Sequence, residues 1–322
     1  MAWSRLTHQL HQDWAPQGLA GQRLLLLFSG GADSLALFFQ LQELSRALKY
    51  EFEVAHFHHG AQPSGSEPFS LEAGRYREEA AAFCQRHCER AGLRLHQVRA
   101  ESVLQSEEQM RDFRREGALR LQREFHFDRL VTAHQADDVL ETRLFRVMRG
   151  TGVQGLRAMR SWAAPWWKPL LSRTRRELLE DLAWRGESPL EDPSNGDLRY
   201  RRNWIRQGLL PQMEAQMPGS VAHLARFLSQ VVDASSESFP ASEQWVQSGI
   251  PRSWFLQQSA SEQKRALASY LFELGVQNYA HTQIDEVRKQ LDNPKIVHTL
   301  RTAGCDWFLN QDTIYAVPQE KA

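Results

Sequence analysis

Six consecutive residues, Ser29-Gly30-Gly31-Ala32-Asp33-Ser34, bring two hydroxyls, two glycines and a carboxylate into one short stretch. They follow the apolar run 24–28, which reads as a buried parallel strand, and precede a helical pattern carrying Leu35, Leu37, Phe38, Leu41 and Leu44. A strand, a glycine-rich turn and a helix N-terminus make a cradle for phosphate. The glycines allow close backbone approach, and exposed N–H groups and the helix dipole attract negative charge. No Gly-Lys-Ser/Thr follows, so the turn is not a Walker loop, and the Gly-x-Gly-x-x-Gly spacing of dinucleotide sites is missing.

A second polar group lies at His134-Gln135-Ala136-Asp137-Asp138, continuing to Glu141. Asp137 and Glu141 are four apart and Asp138 and Glu141 three apart, so they share one helical face near its start. Acidic residues in a first turn often serve only as caps and dipole partners. Beside a phosphate loop they have further uses: Mg²⁺ binds through one or two carboxylates plus phosphate oxygens, and a cationic substrate needs an anionic partner. His56, His58 and His59 end another apolar strand, but neighbouring strand residues point to opposite faces, which favours His59-Gly60 as a turn near the nucleotide over a metal cluster. Arg111, Arg114 and Arg115 offer the guanidinium fork that suits phosphate, or else pair with nearby glutamates. Residues 143–206 hold 14 Lys/Arg against 7 Asp/Glu, which suits an RNA backbone and equally suits arginines paired locally.

These groups need a scaffold. Strands are predicted at 23–28, 51–57, 93–98 and 128–132, with helices at 34–48, 71–91, 106–124 and 135–149. Alternation at this spacing implies a parallel sheet with crossover helices, and ligands in such sheets sit at the carboxyl ends of the strands, where all three groups fall. Residues 60–70, rich in Pro, Ser and Gly, predict a mobile loop. Beyond Gly150 come a Trp-rich piece, helices at 173–185, 203–216 and 221–234, a polar break at 235–243, helices at 261–274 and 281–291, and short strands turning at Ala303-Gly304 and Asn310-Gln311-Asp312.

The 322 residues suffice for two domains. Lys+Arg and Asp+Glu both total 39, so net charge points to no class of partner. Cys84, Cys88 and Cys305 form no disulfide framework and read as buried thiols in a reducing cytoplasm. Residues 1–14 lack the apolar core of a secretion signal, and no apolar run is long enough to span a bilayer.

The Ser-Gly-Gly-x-Asp-Ser loop resembles the PP-loop of the ATP pyrophosphatases, of the adenine nucleotide alpha-hydrolase-like fold. The segment 131–159 is more specific. Together with Lys168-Pro169-Leu170-Leu171, the Asp192-Pro193-Ser194-Asn195 turn and Tyr200-Arg201-Arg202-Asn203-Trp204-Ile205-Arg206, it resembles the tRNA(Ile)-lysidine synthetase family across most of residues 21–215. Lys168 stands where that family frequently has Arg. The resemblance implies a short member, without the further C-terminal domain of longer ones. Its fold would be a parallel sheet with helices on both faces (residues 1–216), a linking helix and linker (217–243) and a small α+β domain contacting tRNA (244–322).

The implied reaction joins L-lysine to the wobble cytidine of tRNA(Ile) with a CAU anticodon, using ATP and Mg²⁺. The implied ATP contacts are Ser29, Gly30, Gly31, Ala32, Asp33, Ser34, His59 and Gly60. Asp33 and Asp137 would hold the metal, Asp138 and Glu141 the lysine, and His134 and Arg114 the charge at the α-phosphate. Arg111, Lys168, Arg202, Asn203 and Arg206 would meet the tRNA. The sequence leaves the oligomeric state open, a homodimer included. The same loop would also suit a PP-loop tRNA thiolase, an amidotransferase-type synthetase or an RNA-binding module with a degenerate loop. The cysteine spacing, the lack of an N-terminal cysteine and the intact acidic residues disfavour them in turn.

Overall fold

The computed structural model describes residues 3–60, 68–102, 104, 106–157, 159–196, 201–234, 242–276, 279–291 and 298–319. Three sequence expectations therefore fall wholly or partly outside the described residues: the loop predicted at 60–70, Tyr200 of the Tyr-Arg-Arg-Asn motif, and the polar break at 235–243. The chain divides into two compact units, Met1–Val139 with Arg160–Asn203, and Leu140–Met159 with Trp204–Ala322.

The first unit runs α1 (Arg5–Trp14), β1 (Arg23–Leu27), α2 (Ala32–Leu48), β2 (Glu51–His58), α3 (Pro68–Ala91), β3 (Leu95–Arg99), α4 (Glu107–Phe125), β4 (Arg129–Val131) and the start of α5 (Ala136–Met148). It resumes with β5 (Trp162–Ala163), β6 (Trp166–Trp167), α6 (Arg175–Arg185) and the short α7 (Arg201–Asn203). The strand order is β3-β2-β1-β4-β6-β5, parallel except for the edge strand β5. The Trp-rich piece is thus two further strands, Trp162 pairing with Trp167. These strands are only two residues long, too short to leave a period in the sequence.

Successive side chains of β1 serve opposite faces. Leu24 and Leu26 pack with Leu6, Leu35, Leu41, Cys84 and Leu178 of the helices on one side. Leu25 packs with Ala118 and Leu121 of α4 on the other. Burial on both faces is why β1 reads as an unbroken leucine run. Local signals then set the helix ends: Ser106 with Gln109 and Thr174 with Glu177 form complete capping boxes, and Gly186 closes α6 in the left-handed conformation.

The second unit contains the rest of α5, a π-helical segment (Trp204–Leu209), α8 (Leu210–Gln216), α9 (Ser220–Ala234), α10 (Ser242–Ser248), β7 (Ile250–Pro251), α11 (Arg252–Leu256), α12 (Ala260–Glu273), α13 (His281–Leu291), β8 (His298–Thr302), β9 (Cys305–Leu309) and β10 (Thr313–Pro318). Its sheet, β7-β10-β9-β8, is antiparallel, and Trp307, Leu267, Leu271, Ile284 and Val287 form its core. The helix expected at 203–216 is interrupted by the π turn that carries Arg206. Among the described residues, no helix is long and apolar enough to cross a membrane.

Candidate active site

The loop leaving β1 has the predicted form. Gly30 adopts φ +85°, which favours glycine, and a Cβ there would come within 3.3 Å of Phe83 and 3.4 Å of Leu190. Gly31 is the N-cap of α2, and among the described residues no side chain caps the helix start. Ser34 sits under the turn: its hydroxyl donates to the Gly31 carbonyl at 3.0 Å, accepts from the Ser29 N–H at 3.3 Å and lies 3.1 Å from the Ser29 hydroxyl. Ser34 is buried and Ser29 exposed, so one serine shapes the loop and the other faces solvent. The Leu190 N–H donates to the Gly30 carbonyl at 3.1 Å, so the segment preceding the Asp192-Pro193 turn pins the loop from above.

At the end of β2 the three imidazoles part company. His56 bonds the Phe28 carbonyl at 2.9 Å through Nδ1, and His58 faces Glu78 at 3.2 Å. His59 lies edge-on to Phe113, and its Nε2 is buried with no hydrogen-bond partner among the described residues. Burial, then the charges of Arg114 and Arg77, lower the His59 pKa to about 4, so this ring is neutral at pH 7. Gly60, at φ +90°, accepts from Arg77 through its carbonyl at 3.1 Å.

After β4, His134 Nδ1 shares a 2.9 Å hydrogen bond with the Thr132 hydroxyl. Burial lowers its pKa to about 4. Asp138 opposes that shift, and Lys168, Arg202 and Arg114 reinforce it. Lys168 is itself lowered by burial, and Arg114 by burial and by the like charges of Arg111 and Arg202. A neutral imidazole among several cations is electrostatically primed for an anion. Five residues expected at the α-phosphate or the tRNA, His134, Arg114, Arg111, Lys168 and Arg202, thus share one electrostatic neighbourhood in the first unit.

The carboxylates are engaged more than their spacing suggested. Asp138 accepts the Gln135 N–H at 3.0 Å, capping its own helix. Asp137 accepts the backbone N–H of Arg175 at 3.0 Å. Asp33 accepts the Arg175 guanidinium at 3.1 Å. Asp33 and Asp137 therefore reach one common residue. They supply hard oxygen donors in the number that Mg²⁺ uses beside phosphate oxygens, so the donor set fits that ion. Arg175 is not among the residues that the motifs single out. The signal that could have found it is a basic residue opening a helix, where the dipole disfavours cations.

In the second unit, the almost fully buried Glu141 carboxylate is held bidentately by Arg206, at 2.6 Å through Nε and 3.0 Å through Nη2. Sequence reasoning put these two residues on different ligands, lysine and tRNA, and the structure pairs them. Much of the basic run 143–206 is likewise engaged locally. Arg146 donates to the Gly155 carbonyl at 2.6 Å, Arg176 pairs with Glu180 at 2.8 Å, and Arg185 with Glu43 and Asp181 at 2.6 and 2.7 Å. Asn203 stands at the end of α7.

A parallel sheet whose first strand opens into this phosphate turn, with acidic residues at the next helix starts, defines a PP-loop ATP-using enzyme, and the PP-loop domain family matches residues 3–213. Within that class the chain belongs to the tRNA(Ile)-lysidine synthase family, a family of ligase-type enzymes that modify tRNA. It is 36% identical over 302 residues to the tRNA(Ile)-lysidine synthase of Bdellovibrio bacteriovorus, covering 92% of each chain. The synthase of Neisseria meningitidis serogroup B is 32% identical over 235 residues, 70% of this chain and 50% of that one. The synthase of a Nostoc species is 28% identical over 283 residues, 80% and 78% of the two chains. The chain therefore spans nearly the whole of some relatives and about half the length of others. A solved U34-tRNA thiolase from Methanococcus maripaludis, with its 4Fe–4S cluster, shares the fold at a TM-score of 0.53 and 18% identity, over 70% of this chain and 77% of that one.

Proposed function

We propose that the chain joins L-lysine to C2 of the wobble cytidine in the CAU anticodon of tRNA(Ile), in the cytoplasm, at the expense of ATP. The cytosine O2 attacks the α-phosphorus and the bond to pyrophosphate breaks. The lysine ε-amine then attacks C2, the C2–O bond breaks with AMP leaving, and the new nitrogen substituent gives up a proton. Ser29, Gly30, Gly31, Ala32 and Ser34 cradle the triphosphate, and His59 and Gly60 line the nucleotide. His134 meets the α-phosphate as a neutral imidazole, and Arg114 beside it stabilises charge that develops in the transition state. Mg²⁺, when bound, neutralises triphosphate charge, and Asp33 and Asp137 are the residues that would hold it. Asp138 takes the lysine ammonium. Glu141, from the same helix, acts on lysine or holds Arg206 for the RNA. Arg111, Lys168, Arg202, Asn203 and Arg206 meet RNA phosphates, with the target base splayed out of its loop.

One observation carries this reading: the 36% identity over 302 residues to a tRNA(Ile)-lysidine synthase, with the phosphate turn, His134 and Asp138 all within one compact unit. Thiolation finds less support. All three cysteines are buried, and burial raises Cys84 strongly, Cys88 to about 12 and Cys305 to about 11, far from a reactive thiolate. The deciding experiment supplies ATP and a tRNA(Ile) transcript with either labelled lysine or a sulfur donor. Lysine label in the RNA supports the reading. Sulfur incorporation, or no RNA product, refutes it.

A further inference from the structure

Helix α6 starts with a cation in the place its dipole least favours. Thr174 is the N-cap and Arg175 the first helical residue. The arginines on either side have other partners: Arg173 pairs with Asp13, and Arg176 with Glu180. Arg175, by contrast, turns to the phosphate loop. Its guanidinium lies 3.1 Å from Asp33 Oδ2 and its backbone N–H 3.0 Å from Asp137 Oδ2. One residue thus engages both carboxylates that could hold a metal, by two unlike contacts. The N–H to Asp137 is fixed by the start of α6. The guanidinium on Asp33 rides a flexible stem, with side-chain exposures of 36% and 20% for the pair, so solvent can compete for it. A guanidinium also fits a phosphate through two parallel hydrogen bonds.

We propose that Arg175 is an exchange cation: it neutralises Asp33 in the nucleotide-free protein, then yields that carboxylate to the divalent cation and turns onto the incoming triphosphate. No covalent bond changes, and the charge on Asp33 stays balanced because one cation replaces another. The device keeps a carboxylate beside the phosphate cradle without repelling the approaching polyanion. It deepens the proposed function only in requiring ATP at the loop.

The test uses Mn²⁺ as the probe, titrated into the whole nucleotide-free protein by electron paramagnetic resonance, and magnesium–ATP by calorimetry. Arg175→Met is expected to bind Mn²⁺ alone about tenfold more tightly than wild type and magnesium–ATP about tenfold more weakly, the loss of one charge-assisted contact. Asp33→Asn is expected to lose the Mn²⁺ site. Arg175→Lys, which keeps the charge without the fork, is expected to bind Mn²⁺ as weakly as wild type and magnesium–ATP several-fold more weakly. A purely structural pin would not raise metal affinity. If Arg175→Met binds Mn²⁺ no more tightly than wild type, the exchange is overturned. Should that variant not fold, unchanged magnesium–ATP affinity in Arg175→Lys overturns it. Neither lysine nor RNA enters these titrations, so failure of lysine transfer and failure of the exchange are separate results.

Discussion

The two ends of α6 hold arginine–carboxylate pairs of the same chemistry in different surroundings. At the C-terminal end, Asp181 is almost fully buried. It accepts from Arg185 at 2.7 Å, from Gln40 at 2.8 Å and from the Ser4 hydroxyl, while Arg185 also grips Glu43 at 2.6 Å. That network ties α1, α2 and α6 into one packed face of the sheet. At the N-terminal end, the pair of Arg175 and Asp33 is partly solvated and stands beside the phosphate turn. The buried network is locked because each member would be left desolvated without its partners. The partly exposed pair can be exchanged because water stabilises either half alone. Burial, more than the residue types, separates a structural ion pair from a working one.

Substitutions at the two ends should therefore fail in different ways. Asp33→Ala is expected to cut lysidine formation by about a hundredfold or more, the scale of losing a preorganised electrostatic group, while the thermal midpoint stays near that of wild type. Unchanged turnover with tRNA and lysine would remove Asp33 from the site. Asp181→Ala should do the reverse, lowering unfolding stability by about 3–5 kcal/mol in denaturant titrations because Arg185 and Gln40 lose a buried partner. Nucleotide affinity per folded molecule should hold. A stable Asp181→Ala that no longer binds nucleotide would erase the contrast.

The smallest expected effect is on pH dependence. His134 and His59 both titrate near 4 in the folded chain against an ordinary 6.5. The unfolded chain therefore takes up protons first as pH falls. Their contribution to stability is complete above about pH 6.5 and is lost progressively toward pH 4. His134→Gln should show a shallower decline of the denaturation midpoint across that window than wild type. An identical decline would mean that His134 is not held neutral by its surroundings.

What could be read in the sequence follows the same division between local and long-range causes. The phosphate turn, its strand and its helix were legible because Leu24 to Leu27, Gly30 and Gly31 act through neighbours in the chain. The four strands and four helices predicted between residues 23 and 149 fall within a few residues of expectation for the same reason. Arg175 was not legible as a partner of Asp33, since 142 residues separate them. Nor was the engagement of the basic run: Arg185 reaches Glu43 across the same separation, and Arg206 reaches Glu141 across 65 residues. Periodicity reports which face of a helix is apolar. It carries no information on which carboxylate a distant guanidinium will meet, because that is settled by packing. The π turn at Trp204–Leu209 escaped for a related reason: its composition is that of an ordinary helix.

In the proposed reaction AMP goes first onto the RNA base and not onto lysine. The most direct measurement gives the protein α-phosphate-labelled ATP, Mg²⁺ and tRNA(Ile) transcript, and withholds lysine. The label is expected on the RNA at the wobble cytidine, and is expected to leave as AMP when lysine is added. Label transferred to lysine in the absence of RNA, with none reaching the transcript, would contradict it.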